Sequence, residues 1–234
     1  MVSCLSWLSS HVSSNVRNVP IVGSDRGARV LPAPFYNRPT LSVAAALLGK
    51  VLVCRSAAGT TSGKIVETEA YVGEGDPACH AAAGQTPRNA PLYGPPGLTY
   101  VYLNYGVHYL LNAVTEADGH PAAVLIRALE PLGGIRLMRA RRAPDGRAIA
   151  EADLCKGPGN LTRALGITLA ENRLDLSEGR LRIEDHGFPG GDVAWGGRIG
   201  IRVGTDRPWR CWIAGHPSVS GSRATTRGRS QDPR

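Results

Sequence analysis

Strand-like segments joined by turns constrain the fold of this chain more than any other feature. Residues 51–55 (VLVCR) and 64–73 (KIVETEAYVG) have strand-like patterns, and the Gly/Ser/Thr-rich stretch between them ends at Gly63. Two more strand-like runs lie within residues 98–114 and meet at Asn104, Tyr105 and Gly106, where Asn and Gly favour a tight reversal. Both patterns predict β-hairpins.

The remaining segments mix helix and strand signals without a repeating βαβ order. Residues 37–50 (NRPTLSVAAALLGK) predict a short helix with Thr40 as a possible N-cap and Gly49 as a stop. Other predicted elements are helices within residues 131–142 and 156–167 and strands over 122–130, from 181, from 196 and over 206–213. This order favours the α+β class. We expect one domain with a central, largely antiparallel, curved β-sheet, flanking helices and a protruding β-hairpin.

Length and composition limit the class of protein. A chain of 234 residues fits one compact domain, which we assign to residues 31–220, between an unstructured extension (1–30) and a basic mobile tail (221–234). With 42% hydrophobic residues, 20% charged residues and no apolar run of ~20 residues, we expect a soluble globular protein. Five scattered cysteines without a CxxC pair predict reduced thiols in a cytoplasm rather than disulfides or a zinc site.

The charge of the chain favours a polyanionic partner. The formal net charge is +8 and the pI is near 9.6, and basic surfaces attract nucleic acids by steering and counterion release. However, only three of the 27 basic residues are lysines, and part of the excess lies in residues 223–234. Charge alone therefore leaves the partner open.

Two glutamates and a tyrosine fall on one face of the predicted strand 64–73. Because side chains alternate along a strand, Glu67, Glu69 and Tyr71 should share a face with Ile65. The wet face of a surface strand also carries glutamates, so this pattern alone does not establish a functional site.

The segments that follow add further candidates. A long connection, residues 74–97, contains His80 and the run GQTPRN, and connections of this length are usually functional or disordered. In the predicted hairpin beyond it, Tyr100 and Tyr102 share a face and Tyr105 lies at the tip. An aromatic side chain at an exposed hairpin tip is not needed for packing in the core.

Several common chemistries lack their sequence signatures. The chain has no GxSxG elbow, no cysteine in a recognisable catalytic motif and no Walker or dinucleotide fingerprint. A metal-dependent hydrolase using Glu67, Glu69, Asp76 and His80 stays an alternative, although these residues lack a recognised ligand spacing. A carboxylate beside aromatic rings on a basic chain suits hydrolysis of an N-glycosidic bond in DNA, because a positioned general base contributes ~10²–10⁴ in rate.

Five motifs in order resemble the alkyladenine (3-methyladenine) DNA glycosylase family. They are IVETEAYVG from Ile65, GQTPRN from Gly84, GLTYVYLNYG from Gly97, LIRALEP from Leu125 and LCKGPGNLTRALGI from Leu154. The resemblance spans roughly residues 31–220, and several motifs in one order are far more specific than any single one. It implies an enzyme that excises damaged purine bases.

The resemblance implies a role for each matched residue of the base site. Glu69, the second glutamate of ETEAY, activates the water. Tyr102 stacks on the flipped base, and Asn112 discriminates against the 2-amino group of guanine. The implied pocket is lined by Tyr71, His80, Tyr102, Asn112 and Leu125.

The resemblance also implies how DNA is bound. Tyr105 enters the minor groove and fills the hole left by the base, and Arg127 contacts the DNA. The expected partner is double-stranded DNA containing damaged purines, bound by a monomer without a metal or other cofactor. The expected location is the cytoplasm, with association with the nucleoid if the source is bacterial. No lyase activity is expected, because none of the matched site residues is a lysine that could form a Schiff base.

A non-catalytic module that binds lesions or other distorted nucleic acid is the main alternative. It would use the same groove and the same wedge without chemistry. Glu69 discriminates between the two hypotheses, because a carboxylate repels the DNA backbone and a pure binder gains nothing from it.

Overall fold

The structure, a computed structural model, describes residues 27–221. The predicted extension (1–30) and tail (221–234) therefore lie almost wholly outside the described residues. In this part of the chain nine strands form one sheet, and every strand pairing in it is antiparallel. The strands are β1 (Arg29–Val30), β2 (Val51–Ser56), β3 (Gly59–Val72), β4 (Thr99–Asn104), β5 (His108–Val114), β6 (Ala122–Gly133), β7 (Leu181–Asp185), β8 (Val193–Gly196) and β9 (Arg210–Ile213).

The order of the strands places β3 at the centre of the sheet. Seven strands follow the order β1-β7-β2-β3-β6-β5-β4, and β8 joins this sheet through β9, which pairs with β3. One edge of β3 pairs with β2 and, over residues 67–69, with β9. The other edge pairs with β6. The predicted α+β class with a largely antiparallel, curved sheet is confirmed.

The described residues contain four α-helices: α1 (Ala33–Tyr36), α2 (Thr40–Ala46), α3 (Ile135–Arg142) and α4 (Pro158–Leu165). Helix α2 contacts β3 and β6, and α4 contacts β5 and β6. The main core between these layers includes Leu52, Ile126, Leu129 and Leu161, all fully buried. Burial stabilises the fold by about 1.5–3 kcal/mol per side chain of this size. No helix within residues 27–221 is long and apolar enough to cross a membrane.

Helix α2 begins differently from its prediction. Pro39 occupies the N-cap position and Thr40 is the first helical residue, so the prediction of Thr40 as the cap is wrong. Glu116 caps the helix from a distant loop, because its carboxylate accepts hydrogen bonds from both the backbone N–H and the hydroxyl of Thr40. A carboxylate here also complements the helix dipole. Gly49, the predicted stop, has a left-handed φ of 83°.

Several predicted strand limits are wrong. The turn between β2 and β3 is complete before Gly59, so the Gly/Ser/Thr stretch that was predicted as a turn belongs to β3. The strand predicted from Gly196 is an irregular loop over residues 197–209, and the strand predicted over 206–213 is confined to Arg210–Ile213. The short strand Val193–Gly196 was not predicted.

Three irregularities interrupt the pairing of β3 with β6, and the two after Ile65 compensate each other. Ile65 pairs with Leu129 and Glu67 with Ala128, which leaves Val66 as an extra residue on β3, and the next pair skips Arg127 on β6. Ile65 consequently packs in the main core, so the prediction that it shares a face with Glu67 is wrong. Bulges re-aim side chains, and these two lie beside Glu67, Glu69 and Arg127.

Residues 74–97 cover the opposite face of the sheet. Cys79, Ala81 and Leu92 of this segment pack on Tyr100, Val114 and Ala123 in a second apolar cluster. The four cysteines within the described part of the chain are buried free thiols, as the sequence predicts; Cys4 lies outside it. The long connection is thus packed on the sheet and forms one side of the cavity described below.

Candidate active site

A cavity of about 520 Å³ opens beside the β4–β5 hairpin. Its sides come from the end of β3, residues 77–80, the hairpin, β6 and the loop 199–203. Seven of the eight predicted site residues line it: Tyr71, His80, Tyr102, Tyr105, Asn112, Leu125 and Arg127. The topology thus brings residues from β3, β4, β5 and β6 to one place.

Glu69, the eighth predicted residue, lies directly behind the cavity lining and is 0% exposed. Its Oε1 accepts a hydrogen bond from the Ile199 backbone N–H at 2.7 Å, and its Oε2 accepts one from the Tyr71 hydroxyl at 2.9 Å. Arg127 Nη1 lies 3.2 Å from Oε1. All three partners line the cavity, so the carboxylate is held by the groups that separate it from the cavity space.

Arg127 is shared between two buried carboxylates. Its Nε donates to Glu67 Oε1 at 2.9 Å, while its Nη1 faces Glu69. Glu67 also accepts from Arg210 at 3.0 Å and from the backbone N–H of Ser220 at 2.7 Å. Only about 5% of Arg127 is exposed, so the guanidinium is an internal counter-ion that borders the cavity.

This arrangement perturbs the acidity of Glu69. Burial raises the pKa of Glu69, while Arg127, the Ile199 N–H and the Tyr71 hydroxyl oppose the shift and the charge of Glu67 adds to it. Because Arg127 divides its charge between two carboxylates, it offsets only part of the desolvation of Glu69. A carboxylate with a raised pKa is a stronger base than an exposed one, which suits general-base work.

Aromatic rings form one side of the cavity. Tyr100 and Tyr102 are stacked with centroids 5.2 Å apart, and the His80 ring meets Tyr102 edge-on at 4.5 Å. Burial raises the pKa of Tyr100 to about 12 and raises the pKa values of Tyr71 and Tyr102 as well. All three phenols therefore keep their protons at neutral pH, and Tyr71 is the donor in its bond to Glu69.

His80 is held as a neutral ring. Burial, followed by the charge of Arg88, lowers its pKa. Its Nδ1 lies 2.8 Å from the Tyr100 hydroxyl. A neutral imidazole has one donor and one acceptor nitrogen, so when Tyr100 donates to Nδ1 the other nitrogen carries the proton.

Asn112 and Leu125 form the floor where β5 meets β6. They are paired in the ladder, and Leu125 also pairs with Glu69 on β3. The Asn112 amide donates to the Tyr100 carbonyl at 3.0 Å, which fixes the orientation of this side chain. Both residues are buried.

Tyr105 stands at the tip of the β4–β5 hairpin, as the sequence predicts. It has a left-handed φ of 48° and is 85% exposed. Val107 beside it, and Val203 on the loop across the cavity, are also exposed apolar residues. The cavity thus has an apolar edge and a projecting aromatic ring.

The residues of the metal-site alternative do not come together. Glu67 and Glu69 are bound by Arg127, whereas both carboxylate oxygens of Asp76 are bound by Arg198. Within residues 27–221, no three His, Cys, Asp or Glu side chains could jointly hold a metal ion. The carboxylates of this site therefore serve as partners of arginines.

The sequence did not identify the role of the loop 197–204. This loop contributes the Ile199 N–H to Glu69 and the Arg198 guanidinium to Asp76. Gly197, Gly200 and Gly204 interrupt the run, and the left-handed φ values of the latter two, 80° and 62°, are incompatible with a regular strand. The spacing of these glycines was the signal for a loop.

Comparison with known proteins gives one consistent family. The sequence profile of the methylpurine-DNA glycosylase family matches residues 34–217. Similar proteins named "Putative 3-methyladenine DNA glycosylase" occur in Burkholderia lata (50% identical over 82% of this chain and 91% of the relative), Methanocella arvoryzae (49%, 82% and 96%) and Rubrobacter xylanophilus (51%, 78% and 93%). Nearly the full length of each relative is covered.

Proposed function

This chain belongs to the methylpurine-DNA glycosylase family, and we propose that it is a monofunctional DNA N-glycosylase that removes alkylated or deaminated purines from duplex DNA without a metal or other cofactor. One observation carries the proposal: Glu69 is a fully buried carboxylate directly behind an aromatic-lined cavity, held by three donors. A general base next to a base-sized recess suits hydrolysis of the bond between a purine and its sugar.

The cavity supports binding of a base that has left the helix. Its volume of about 520 Å³ falls in the range of small-molecule sites. Tyr71, His80 and Tyr102 offer rings for stacking, which contributes about 1–3 kcal/mol per base. This gain offsets the cost of unstacking, which is least for a damaged or mispaired base. Tyr105 projects from the edge and can fill the vacated stack as a wedge.

The hydrogen bonds of Glu69 support a particular route for the water. Oε1 faces two donors, Ile199 N–H and Arg127, whereas Oε2 receives the Tyr71 hydroxyl alone. A carboxylate oxygen has two lone-pair sites, so Oε2 can accept a hydrogen bond from water. The water transfers a proton to Glu69 as its oxygen attacks C1′, and the bonding pair of the C1′–N bond leaves with the base. The products are an abasic site and a free purine: a cationic alkylated base leaves as the neutral purine, whereas hypoxanthine leaves as an anion that takes up a proton from solvent.

Charge and shape support a preference for damaged purines. Aromatic faces attract cationic alkylated bases, and such bases leave without protonation. Asn112 borders the cavity, and its amide is held by a hydrogen bond to the Tyr100 carbonyl. In this fixed orientation the side chain can discriminate against the 2-amino group of guanine. Arg127 also lines the cavity, and it can form an ion pair with a DNA phosphate that approaches the cavity as the nucleotide rotates.

The three lysines of the chain support hydrolysis without strand cleavage. Lys50 pairs with Asp185, Lys64 with Glu130 and Lys156 with Asp153, and none of the lysines lines the cavity. A lyase needs an amine at C1′ to form a Schiff base. We expect the enzyme to leave the DNA strand intact and to act as a monomer in the cytoplasm.

The test uses duplex oligonucleotides that carry hypoxanthine or ethenoadenine, and methylated DNA, incubated with the protein in EDTA and then treated with alkali. Lesion-dependent breaks that need the alkali step support a metal-independent monofunctional glycosylase. Breaks without alkali would indicate a lyase, and activity restored only by a divalent ion would indicate a metal-dependent hydrolase. Tight lesion binding without any base release would favour the binding module.

A further inference from the structure

Arg198 and Asp76 form a fully buried ion pair beside the cavity. Both side chains are 0% exposed, and the guanidinium binds both carboxylate oxygens, with Nη1 2.5 Å from Oδ2 and Nη2 2.8 Å from Oδ1. Burial opposes ionisation of Asp76, but the hydrogen bonds from Arg198 and from backbone N–H groups lower its pKa. Two parallel bonds fix the orientation of a guanidinium as well as its position. We refer to this pair as the Asp76–Arg198 clamp.

The clamp ties three separate segments together. Besides Asp76 in the long connection, Arg198 donates to the Ala70 carbonyl on β3 at 3.0 Å and to the Gly204 carbonyl at 3.3 Å. A Cβ atom at Gly204 would lie 3.1 Å from Arg198 Nη2, so the loop closes tightly around the guanidinium. Arg198 therefore fixes the irregular loop to the strand that carries Glu69.

Both oxygens of Glu69 receive hydrogen bonds from neighbours of Arg198. Ile199, whose N–H lies 2.7 Å from Oε1, is the next residue in the chain. The Tyr71 ring, whose hydroxyl donates to Oε2, lies under the guanidinium with its centroid 4.7 Å from Cζ of Arg198. A shift of Arg198 would thus disturb the donor on each oxygen.

We propose that the Asp76–Arg198 clamp is a positioning device for the general base, which holds the Ile199 N–H and the Tyr71 hydroxyl on Glu69. This inference rests on the proposed function and adds two positioning residues to it. Neither Asp76 nor Arg198 touches the reacting atoms; Arg198 acts on Glu69 through the groups that it fixes and through its charge, and Asp76 acts through Arg198. The remaining charged or titratable groups that face Glu69 are Arg127 on β6, Glu67 on β3, Tyr102 on β4 and Arg210 on β9, and the clamp bonds to none of them.

The test is Asp76→Asn, which removes the charge that holds Arg198 while keeping the size of the side chain. If Glu69 loses either the hydrogen bond from the Ile199 N–H or the one from the Tyr71 hydroxyl, the single-turnover rate of base release should fall by about 10- to 100-fold. Because Glu69 then has fewer donors, the acidic limb of the pH–rate profile moves to higher pH; the charge of Arg198, no longer paired with Asp76, opposes this shift but does not replace the lost donors. Affinity for the lesion duplex should fall less than the rate of base release, because His80 and Tyr102, the other two rings of the cavity lining, do not contact Arg198.

Glu184→Gln is the matched control. Glu184 is a buried carboxylate of β7 that is bound by Arg182 at 2.5 Å and by His186 at 2.7 Å, and it lies outside the cavity lining. Glu184→Gln weakens both ion pairs and so reports the general effect of removing a buried carboxylate. The substitution should lower the thermal stability of the protein without moving the acidic limb of the pH–rate profile.

Two measurements decide the inference. Folded Asp76→Asn protein with the wild-type pH profile and rate would overturn it. If Asp76→Asn does not fold, Arg198→Lys is measured instead. This variant keeps the charge over Tyr71 but loses the paired geometry, and the same changes in rate and pH profile are expected.

Hydrogen exchange gives an independent measurement. The Ile199 amide should resist exchange in the wild type, and exchange as fast as that of unbonded loop amides would contradict the clamp. A wild type that releases no base refutes the proposed function instead, and the exchange result still stands on its own.

Discussion

Removal of the Tyr71 hydroxyl isolates one of the bonds that hold Glu69. Tyr71→Phe keeps the ring that lines the cavity and lies under Arg198. It deletes the donor that lies 2.9 Å from Glu69 Oε2. Burial, followed by the charge of Glu69, raises the pKa of Tyr71, so this phenol is protonated and donating throughout the working pH range.

The strength of the hydrogen bond from Tyr71 to Glu69 sets the expected change in the rate of base release. A hydrogen bond to a charged acceptor contributes about 1.5–3 kcal/mol, and 1.36 kcal/mol corresponds to a factor of 10. The bond stabilises the ionised form of Glu69, so its loss raises the pKa of Glu69 further. At pH values below that pKa, the ionised fraction and hence the rate should fall by about 10- to 100-fold. The alkaline plateau should change less.

The assay is single-turnover release of hypoxanthine from a duplex over a pH series, with lesion binding measured in parallel. Tyr93→Phe is the control, because Tyr93 donates to Glu74 at 3.0 Å on the surface and this bond has no contact with Glu69. A Tyr71→Phe enzyme whose acidic limb coincides with the wild type would refute the reasoning that this hydroxyl supports the base.

Substitutions at Glu67, Tyr105 and Gly134 test the charge beside Glu69, the hairpin tip and a tight turn. Glu67→Gln should move the acidic limb to lower pH, because the charge of Glu67 raises the pKa of Glu69; a pH–rate profile checks the sign, which is opposite to that for Tyr71→Phe. Tyr105→Ala should change stability by less than about 0.5 kcal/mol, since this side chain is 85% exposed, yet weaken lesion-duplex binding in a titration. Gly134→Ala should cost more than about 1 kcal/mol in a denaturant titration, because Gly134 has a φ of 73° and its added Cβ would lie 2.4 Å from the Thr60 carbonyl oxygen; Gly84→Ala, with a φ of 84° and open space around it, should cost less.

The parts of the site that follow from local patterning could be predicted. Alternation along a strand gives Glu67, Glu69 and Tyr71 a common direction, and the structure brings all three together around Arg127 and the cavity. The reversal around Asn104 and Gly106 likewise predicts the hairpin and its exposed tip at Tyr105. These features depend on residues close in sequence.

The irregularities of the sheet could not be predicted from the same rule. The alternation assigned Ile65 to the face of Glu67, but the extra residue Val66 reverses the phase, so that Ile65 enters the main core. A bulge is determined by the pairing of two strands, and Val66 and the skipped Arg127 are 61 positions apart (127 − 66). Strand periodicity contains no information on that pairing.

The loop 197–204 was missed for a similar reason. Alternating glycines and β-branched residues imitate a strand, whereas the bonds that shape the loop are distant in sequence: Arg198 and Asp76 are separated by 122 positions, and Ile199 and Glu69 by 130. The resemblance implied that Arg127 contacts DNA, and this stays a prediction. In the unbound protein its guanidinium is committed to Glu67 and Glu69.

The most direct test of Glu69 as the general base compares Glu69→Gln with the wild type under single-turnover conditions in EDTA. The variant should fold at neutral pH: a raised carboxyl pKa contributes stability below the unfolded pKa, and that contribution is lost as pH rises through the folded pKa, so an uncharged side chain relieves a cost there. We expect wild-type affinity for a hypoxanthine duplex and a rate of base release lower by about 10²–10⁴. A folded Glu69→Gln enzyme that releases the base at the wild-type rate would contradict this expectation.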